Sequence, residues 1–247
     1  MKLNKIEPKY ISQSNPRIGL ITLGSDFRIE KDFNNIIYGR DIDLYVNRIH
    51  CYNPLTNETL AKMAEDITEV TKDILPDQKI DCVAYGCTSG TVAAGYNVIK
   101  EKINLAKPEA KVTTPITSAI NALKVLGINK ISIFTPYTKT INDSVVNYFE
   151  KENVIINSLT YFDIDSDLNI GKVDENYLFE VLSKIDLEDS DALFVSCTAL
   201  PVLSIINKLE KKLNKVVLSS NQTLIWDSLN AIDYKEKIDG FGKLFNS

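Results

Sequence analysis

Residues 81–88, Asp81-Cys-Val-Ala-Tyr-Gly-Cys-Thr88, decide how this chain folds, because residues 191–198, Asp191-Ala-Leu-Phe-Val-Ser-Cys-Thr198, repeat their plan. Each stretch is an aspartate, a short apolar run of strand character and a Cys-Thr pair where a helix is expected to begin. Cys87 and Cys197 lie 110 residues apart, so one half-site is written twice. Two thiols facing each other from strand ends can hand a proton across a carbon, or attack it and release it. That pairing predicts an enzyme.

Working outward, Arg17-Ile-Gly-Leu-Ile-Thr-Leu23 predicts a first strand, and residues 44–49, 81–85 and 111–115 three more. Helical periodicity covers residues 60–75 and 90–106. The pattern restarts at Lys130-Ile-Ser-Ile-Phe-Thr135, followed by strands at 154–162, 192–195 and 215–220. A helix is expected over 174–185, and another opening on Pro201, whose fixed φ suits a first turn. The spacing between matching elements is 113 residues at the first strand, 110 at the cysteines and 104 at the last strand. Loop insertions and deletions account for such drift in a degenerate duplication. The expected fold is α/β: two pseudo-symmetric domains, each a parallel sheet flanked by helices. Ligands of such sheets bind beyond the carboxyl ends of the strands, which places the active site in the interdomain cleft. The boundaries are residues 1–116 plus 219–247 for the half carrying Cys87, and 117–218 for the half carrying Cys197. Residues 221–229 are expected to return and pack on the first half.

With 247 residues, 44% hydrophobic and 25% charged, the composition is that of a globular protein. A net charge of −5, with basic residues dispersed along helices, argues against nucleic acid or an anionic membrane as partner. No apolar run reaches membrane-spanning length, and residues 1–15 are too polar for a signal peptide; a cytoplasmic location is expected. Cys51, Cys82, Cys87 and Cys197 do not form a disulfide framework. The poor ligand spacing of Cys82 and Cys87 and the single histidine, His50, speak against zinc, so neither metal nor cofactor is expected. Cys82 and Cys51 read as packing residues.

A cysteine at a helix N-terminus meets free backbone N–H groups, which lower its thiol pKa. Thr88, Ser89 and Gly90 after Cys87, and Thr198 and Ala199 after Cys197, supply donors suited to a carboxylate. Asp26, just past the first strand, can cap the following helix or face a ligand. Asp81 and Asp191 lie at the wrong end of the sheet for catalysis.

Ile18-Gly-Leu-Ile-Thr-Leu-Gly-Ser-Asp-Phe-Arg-Ile-Glu30, Tyr85-Gly-Cys-Thr-Ser-Gly90, Thr135-Pro-Tyr-Thr138, Ser196-Cys-Thr-Ala-Leu-Pro201 and Ser219-Ser-Asn-Gln222 together resemble the aspartate/glutamate racemase superfamily. The resemblance is to its maleate isomerase and arylmalonate decarboxylase branch. It implies a cofactor-free site between two α/β halves, a small carboxylate substrate and a homodimer or higher homo-oligomer. It further implies Cys87 as nucleophile on a cis-dicarboxylate, Cys197 as proton donor and acceptor, and Tyr137 and Asn221 as carboxylate contacts. Two positions depart from the branch. Asp26 stands where maleate isomerases carry asparagine, and Asp167 or Asn169 stands near the second such asparagine. An ionised aspartate only accepts hydrogen bonds and repels a carboxylate; it can instead meet an ammonium or stay protonated. Maleate-type cis-trans isomerisation is the first reading. Racemisation of an acidic amino acid, decarboxylation of a malonate and a non-catalytic carboxylate-binding module are the alternatives.

Overall fold

Apolar runs of three to seven residues become strands, and the polar, capped stretches between them become helices, in a computed structural model that describes all residues except 2, 11, 13, 14 and 188. The first sheet holds β1 (Arg17–Leu23), β2 (Asp43–Ile49), β3 (Cys82–Gly86) and β4 (Lys111–Thr113). The second holds β5 (Lys130–Thr135), β6 (Ile155–Tyr161), β7 (Ala192–Val195) and β8 (Val216–Ser219). Both sheets are wholly parallel and run in one order, β2-β1-β3-β4 and β6-β5-β7-β8. Leu20 pairs with Val46 and Ala84, and Ile133 with Leu159 and Phe194. The duplication is therefore a duplication of topology.

Several helices differ from the sequence pattern. The expected helix over 60–75 is three pieces, Asn57–Lys62, a 3-10 turn Met63–Asp66, and Ile67–Lys72. The Thr56 and Thr59 side chains close a capping box that starts it early. The expected helix over 90–106 begins at Thr88 and breaks at Gly95, whose φ of +87° ends Thr88–Ala94 before Tyr96–Ala106 starts. Pro115, read as the end of a strand, opens the helix Pro115–Leu126, which carries the chain into β5.

The last helix, Ser220–Ala231, is fixed at its start by a Ser219/Gln222 capping box and packs back against the first sheet. Leu224, Ile225 and Leu229 join Ile18, Leu20, Phe33 and Ala84 in one apolar cluster. The second cluster runs unbroken from one half into the other, from Ile21, Val83 and Tyr85 through Ile116 to Phe134, Phe194 and Leu218. Burial on that scale supplies the main driving force for folding. Among the described residues no helix is long and apolar enough to cross a membrane.

Phe194 of β7 is fully buried and meets Phe149 edge-on, with ring centroids 5.2 Å apart. Phe194→Ala is expected to cost roughly 3–5 kcal/mol in urea denaturation, as transfer and cavity penalties add.

Candidate active site

The carboxyl ends of β3 and β7 deliver the two cysteines. Cys87 is the N-cap of Thr88–Ala94, and its Sγ accepts from the Gly90 N–H at 3.2 Å. A Cβ on Gly90 would lie 2.8 Å from that sulfur and 2.9 Å from the Tyr85 hydroxyl. The glycine thus makes room for the thiol itself. Ser89 Oγ is 3.9 Å from the same sulfur.

Cys197 is placed differently. The expected helix start is absent: residues 196–202 form a loop, and helical structure resumes only at Leu203–Ile205 and Ile206–Leu213. Pro201 disfavours the helical region for Leu200, and Cys197 itself has a φ of +98°. Its sulfur faces the Ala199 N–H and the Tyr137 hydroxyl instead of a helix terminus.

Polar ties cross from one half-site to the other. Ser220 Oγ accepts from Thr88 Oγ1 at 2.8 Å and from the Cys197 N–H at 3.0 Å. Thr198 Oγ1 donates to the Gly86 carbonyl at 3.2 Å. Asn221 Nδ2 donates to the Thr198 carbonyl at 2.8 Å and to Asp32 Oδ2 at 2.7 Å. Tyr137 lies just past β5, buried, with its hydroxyl 3.4 Å from Ser196 Oγ and close enough to feel both cysteines. Cys87, Cys197, Thr88, Ser89, Thr198, Ala199, Tyr137, Asn221 and Asp26 therefore converge on one place.

Acidic groups line the remaining wall. Asp26 Oδ1 accepts from the Arg28 and Ile29 N–H groups at 2.7 and 3.1 Å, capping the turn that leads into the helix Ile29–Ile37. Its Oδ2 is buried, with the Thr198 side chain beside it. Asp167, at the start of Asp167–Gly171, accepts from Ser25 Oγ at 2.6 Å, whereas Asn169 is exposed; of the two candidates, Asp167 is the one in the site. Burial raises Asp26, and it pushes Asp167 up to about 6 and Asp32 up to about 7, the neighbouring Asp26 charge adding to both. The thiols also move upward. Burial, reinforced at Cys197 by the Asp167 and Asp26 carboxyls, raises both catalytic candidates, against the lowering expected from the sequence. At Cys87 the Gly90 N–H offsets only part of the desolvation.

Cys51, read as a packing residue, does pack against the core; it follows β2 and also senses Asp167 and Asp26. Cys82 packs in the core, with its Sγ 3.7 Å from Thr113 Oγ1. Asp32, Ser25 and Ser220 were missed. The signal for Ser25 was position, since it follows the carboxyl end of a strand; Asp32 is recruited from a helix and gave none.

The expected cleft is closed at its floor, with Cys87 3% and Cys197 6% exposed. Ser25 to Asp167, Arg28 to the Gly171 carbonyl at 3.2 Å, and Leu55 N–H to the Asp165 carbonyl at 2.8 Å join the halves around it.

The profile of the arylmalonate decarboxylase family matches residues 45–245. This chain belongs to that family. The maleate isomerase of Geobacillus stearothermophilus is 25% identical over 246 residues, covering 93% of this chain and 97% of the relative. The crystal structure of maleate isomerase Iso from Pseudomonas putida S16 superposes with a TM-score of 0.83 at 23% identity, over 94% of this chain and 98% of that one. A Nocardia farcinica maleate cis-trans isomerase, solved as a cysteine-to-serine mutant with a covalently bound succinylcysteine intermediate, superposes at 0.86 with 20% identity, over 94% and 98%. Membership of the arylmalonate decarboxylase family agrees with the doubled four-stranded topology.

A left-handed backbone costs a non-glycine residue on the order of 1–3 kcal/mol. Cys197→Gly is therefore expected to be more stable than Cys197→Ala by about 1 kcal/mol in urea titrations, reversing the usual order of those two residues.

Proposed function

We propose that the chain is a cofactor-independent cis-trans isomerase of a small ene-dicarboxylate of the maleate kind. The observation that carries this reading is the placement of Cys87 and Cys197 at equivalent strand ends, with their loops tied through Ser220. In this reading Cys87 is the nucleophile and Cys197 the acid/base. With one proton between the two sulfurs, Cys197 holds it and Cys87 is the thiolate. The Cys87 sulfur then adds to one alkene carbon; a C–S bond forms, and the π pair goes to the neighbouring carbon, which takes the proton from Cys197. The former double bond is now single and rotates. Cys197 removes a proton from the second carbon, the pair re-forms the alkene, and the C–S bond breaks with Cys87 leaving as thiolate. The Cys87 thiolate and the Cys197 thiol are then as they began. Gly90 N–H favours the departing thiolate, and the Tyr137 and Ser89 hydroxyls with the Thr88, Thr198 and Ala199 N–H groups are the donors for a carboxylate. Asn221 positions the Thr198 loop.

Two working units suit this chemistry, residues 1–116 with 219–247 and residues 117–218, parting to admit substrate and closing to exclude water. A reducing cytoplasm would keep the four free cysteines as thiols.

Incubation with maleate, aspartate, glutamate and malonates in D2O, followed by NMR, tests the assignment. Fumarate should form from maleate alone; α-deuterated aspartate or glutamate with maleate untouched, or CO2 from a malonate, would sink it. Cys87→Ala should lower kcat on the order of 10³-fold or more, and Cys197→Ala by roughly 10²–10⁴-fold. Both thiols are raised, so the thiolate is the minor form at neutral pH. The rate kcat/KM should accordingly climb with pH, about tenfold per unit while the thiol stays below its pKa. A flat profile between pH 6 and 9 would contradict thiolate chemistry.

A further inference from the structure

Cys87 and Cys197 receive their N–H donors by different means. At Cys87 the helix Thr88–Ala94 aims the Gly90 N–H at the sulfur, 3.2 Å away. Cys197 stands in a loop, where no helix points the Ala199 N–H that faces its sulfur. Side chains have to aim that peptide instead.

The peptide joining Thr198 to Ala199 is planar, so its carbonyl and its N–H point in opposite directions. Fixing one aims the other. Asn221 Nδ2 donates to the Thr198 carbonyl at 2.8 Å and to Asp32 Oδ2 at 2.7 Å. A carbonyl only accepts, so the nitrogen of Asn221 must be the atom that faces it. The other end of this amide gives no support, because Oδ1 is buried with no partner among the described residues. Asn221 is therefore steadied from its nitrogen, and Asp32 is the side chain that steadies it.

Asp32 comes from a distant part of the fold. It lies on the first-half helix Ile29–Ile37, and Asn221 lies in the helix that follows β8. An acid in a first turn suits the helix dipole, but Glu30 shares that turn, and the dipole does not require a contact with Asn221. Asp26, Arg28 and Glu175 also act on the Asp32 carboxyl, which burial pushes up to about 7. A carboxyl keeps an acceptor oxygen in either protonation state, so the bond from Asn221 survives that shift.

We propose that Asp32 is a positioning residue for Cys197: through Asn221 it holds the Thr198 carbonyl, and thereby keeps the Ala199 N–H on the Cys197 sulfur. An N–H in that place favours the thiolate that forms each time Cys197 gives up its proton. The consequence for turnover rests on the isomerase reading; the tether itself does not.

Amide hydrogen exchange read by NMR on the whole chain, set beside maleate kinetics, tests the assignment. Asp32→Ala should speed exchange of the Ala199 N–H about tenfold while the Gly90 N–H stays within about twofold. In the same variant kcat should fall on the order of 10–10²-fold, with KM changed by less than about threefold. Asp32→Asn keeps an oxygen for Asn221 and should restore most of both. Asn221→Ala should match Asp32→Ala, and the double variant should be no worse than either, because the two residues act in series. Asp32→Asn and Asn221→Ala carry the test should Asp32→Ala not fold. Unchanged exchange at Ala199, an equal rise at Gly90, additive losses in the double variant, or a looser Ala199 with kcat intact would overturn the assignment. So would an Asp32→Asn variant as impaired as Asp32→Ala. Selective loosening at Ala199 in a protein that leaves maleate untouched would uphold the tether while refuting the isomerase reading.

Discussion

One serine hydroxyl holds the two half-sites in register. Ser220 Oγ takes a hydrogen bond from Thr88, next to Cys87, and another from the backbone N–H of Cys197. It stands in the first turn of a helix whose Ser219/Gln222 capping box fixes that turn, and the body of the helix packs on the first sheet. A residue that follows the last strand of the second sheet is thereby anchored to the first. The left-handed backbone of Cys197 persists because its N–H is claimed in this way, and because Thr198 is bonded on to Gly86 and Asn221. Strain at a site is tolerated when the surroundings over-determine it.

Closure of the halves sets the electrostatics. Taking thiols and carboxyls out of water penalises their charged forms, and here that penalty outweighs every favourable hydrogen bond the groups make. The site is thus a reservoir of protons held on groups that release them reluctantly. For chemistry that must add and remove a proton at carbon, a raised thiol is present in its protonated form and still far more acidic than the carbon it must protonate, and its thiolate is a correspondingly stronger base.

The paired Asp81–Thr88 and Asp191–Thr198 stretches made the doubled parallel architecture legible, because apolar runs of strand length alternate with helical patterns twice over; the strand order came only from the structure. Cys87 and Cys197 were legible for a related reason, since strand ends in parallel sheets point to ligands; Tyr137 was legible through the family resemblance. What escaped were features decided by partners distant in sequence. Nothing local to Ser196-Cys-Thr-Ala-Leu-Pro201 announces a left-handed residue, since Ser220 and Gly86 impose it. Nor does a helical pattern show that Asp32 will meet Asn221, 189 residues away. The direction of the thiol shifts was misjudged because helix-terminus stabilisation can be read from sequence order, whereas desolvation depends on which half closes over the sulfur. Gly95 was visible as a residue but not as the break it makes in a long helix.

The duplication also explains why the two thiols are not interchangeable. Asp26 and Tyr137 follow the first strands of their halves, Cys51 and Asp167 follow the second strands, and Cys87 and Cys197 follow the third. Each position has diverged except the last. Cys87 keeps a helix start and a Gly90 N–H on its sulfur, which favours the charge that develops when a C–S bond breaks. Cys197 has lost the helix, and Asp167 and Asp26 oppose its ionisation, which favours holding a proton. Equal thiols would exchange roles across a symmetrical substrate with no preference for either. In the proposed reaction, unequal neighbours are what assign one sulfur to carbon and the other to the proton.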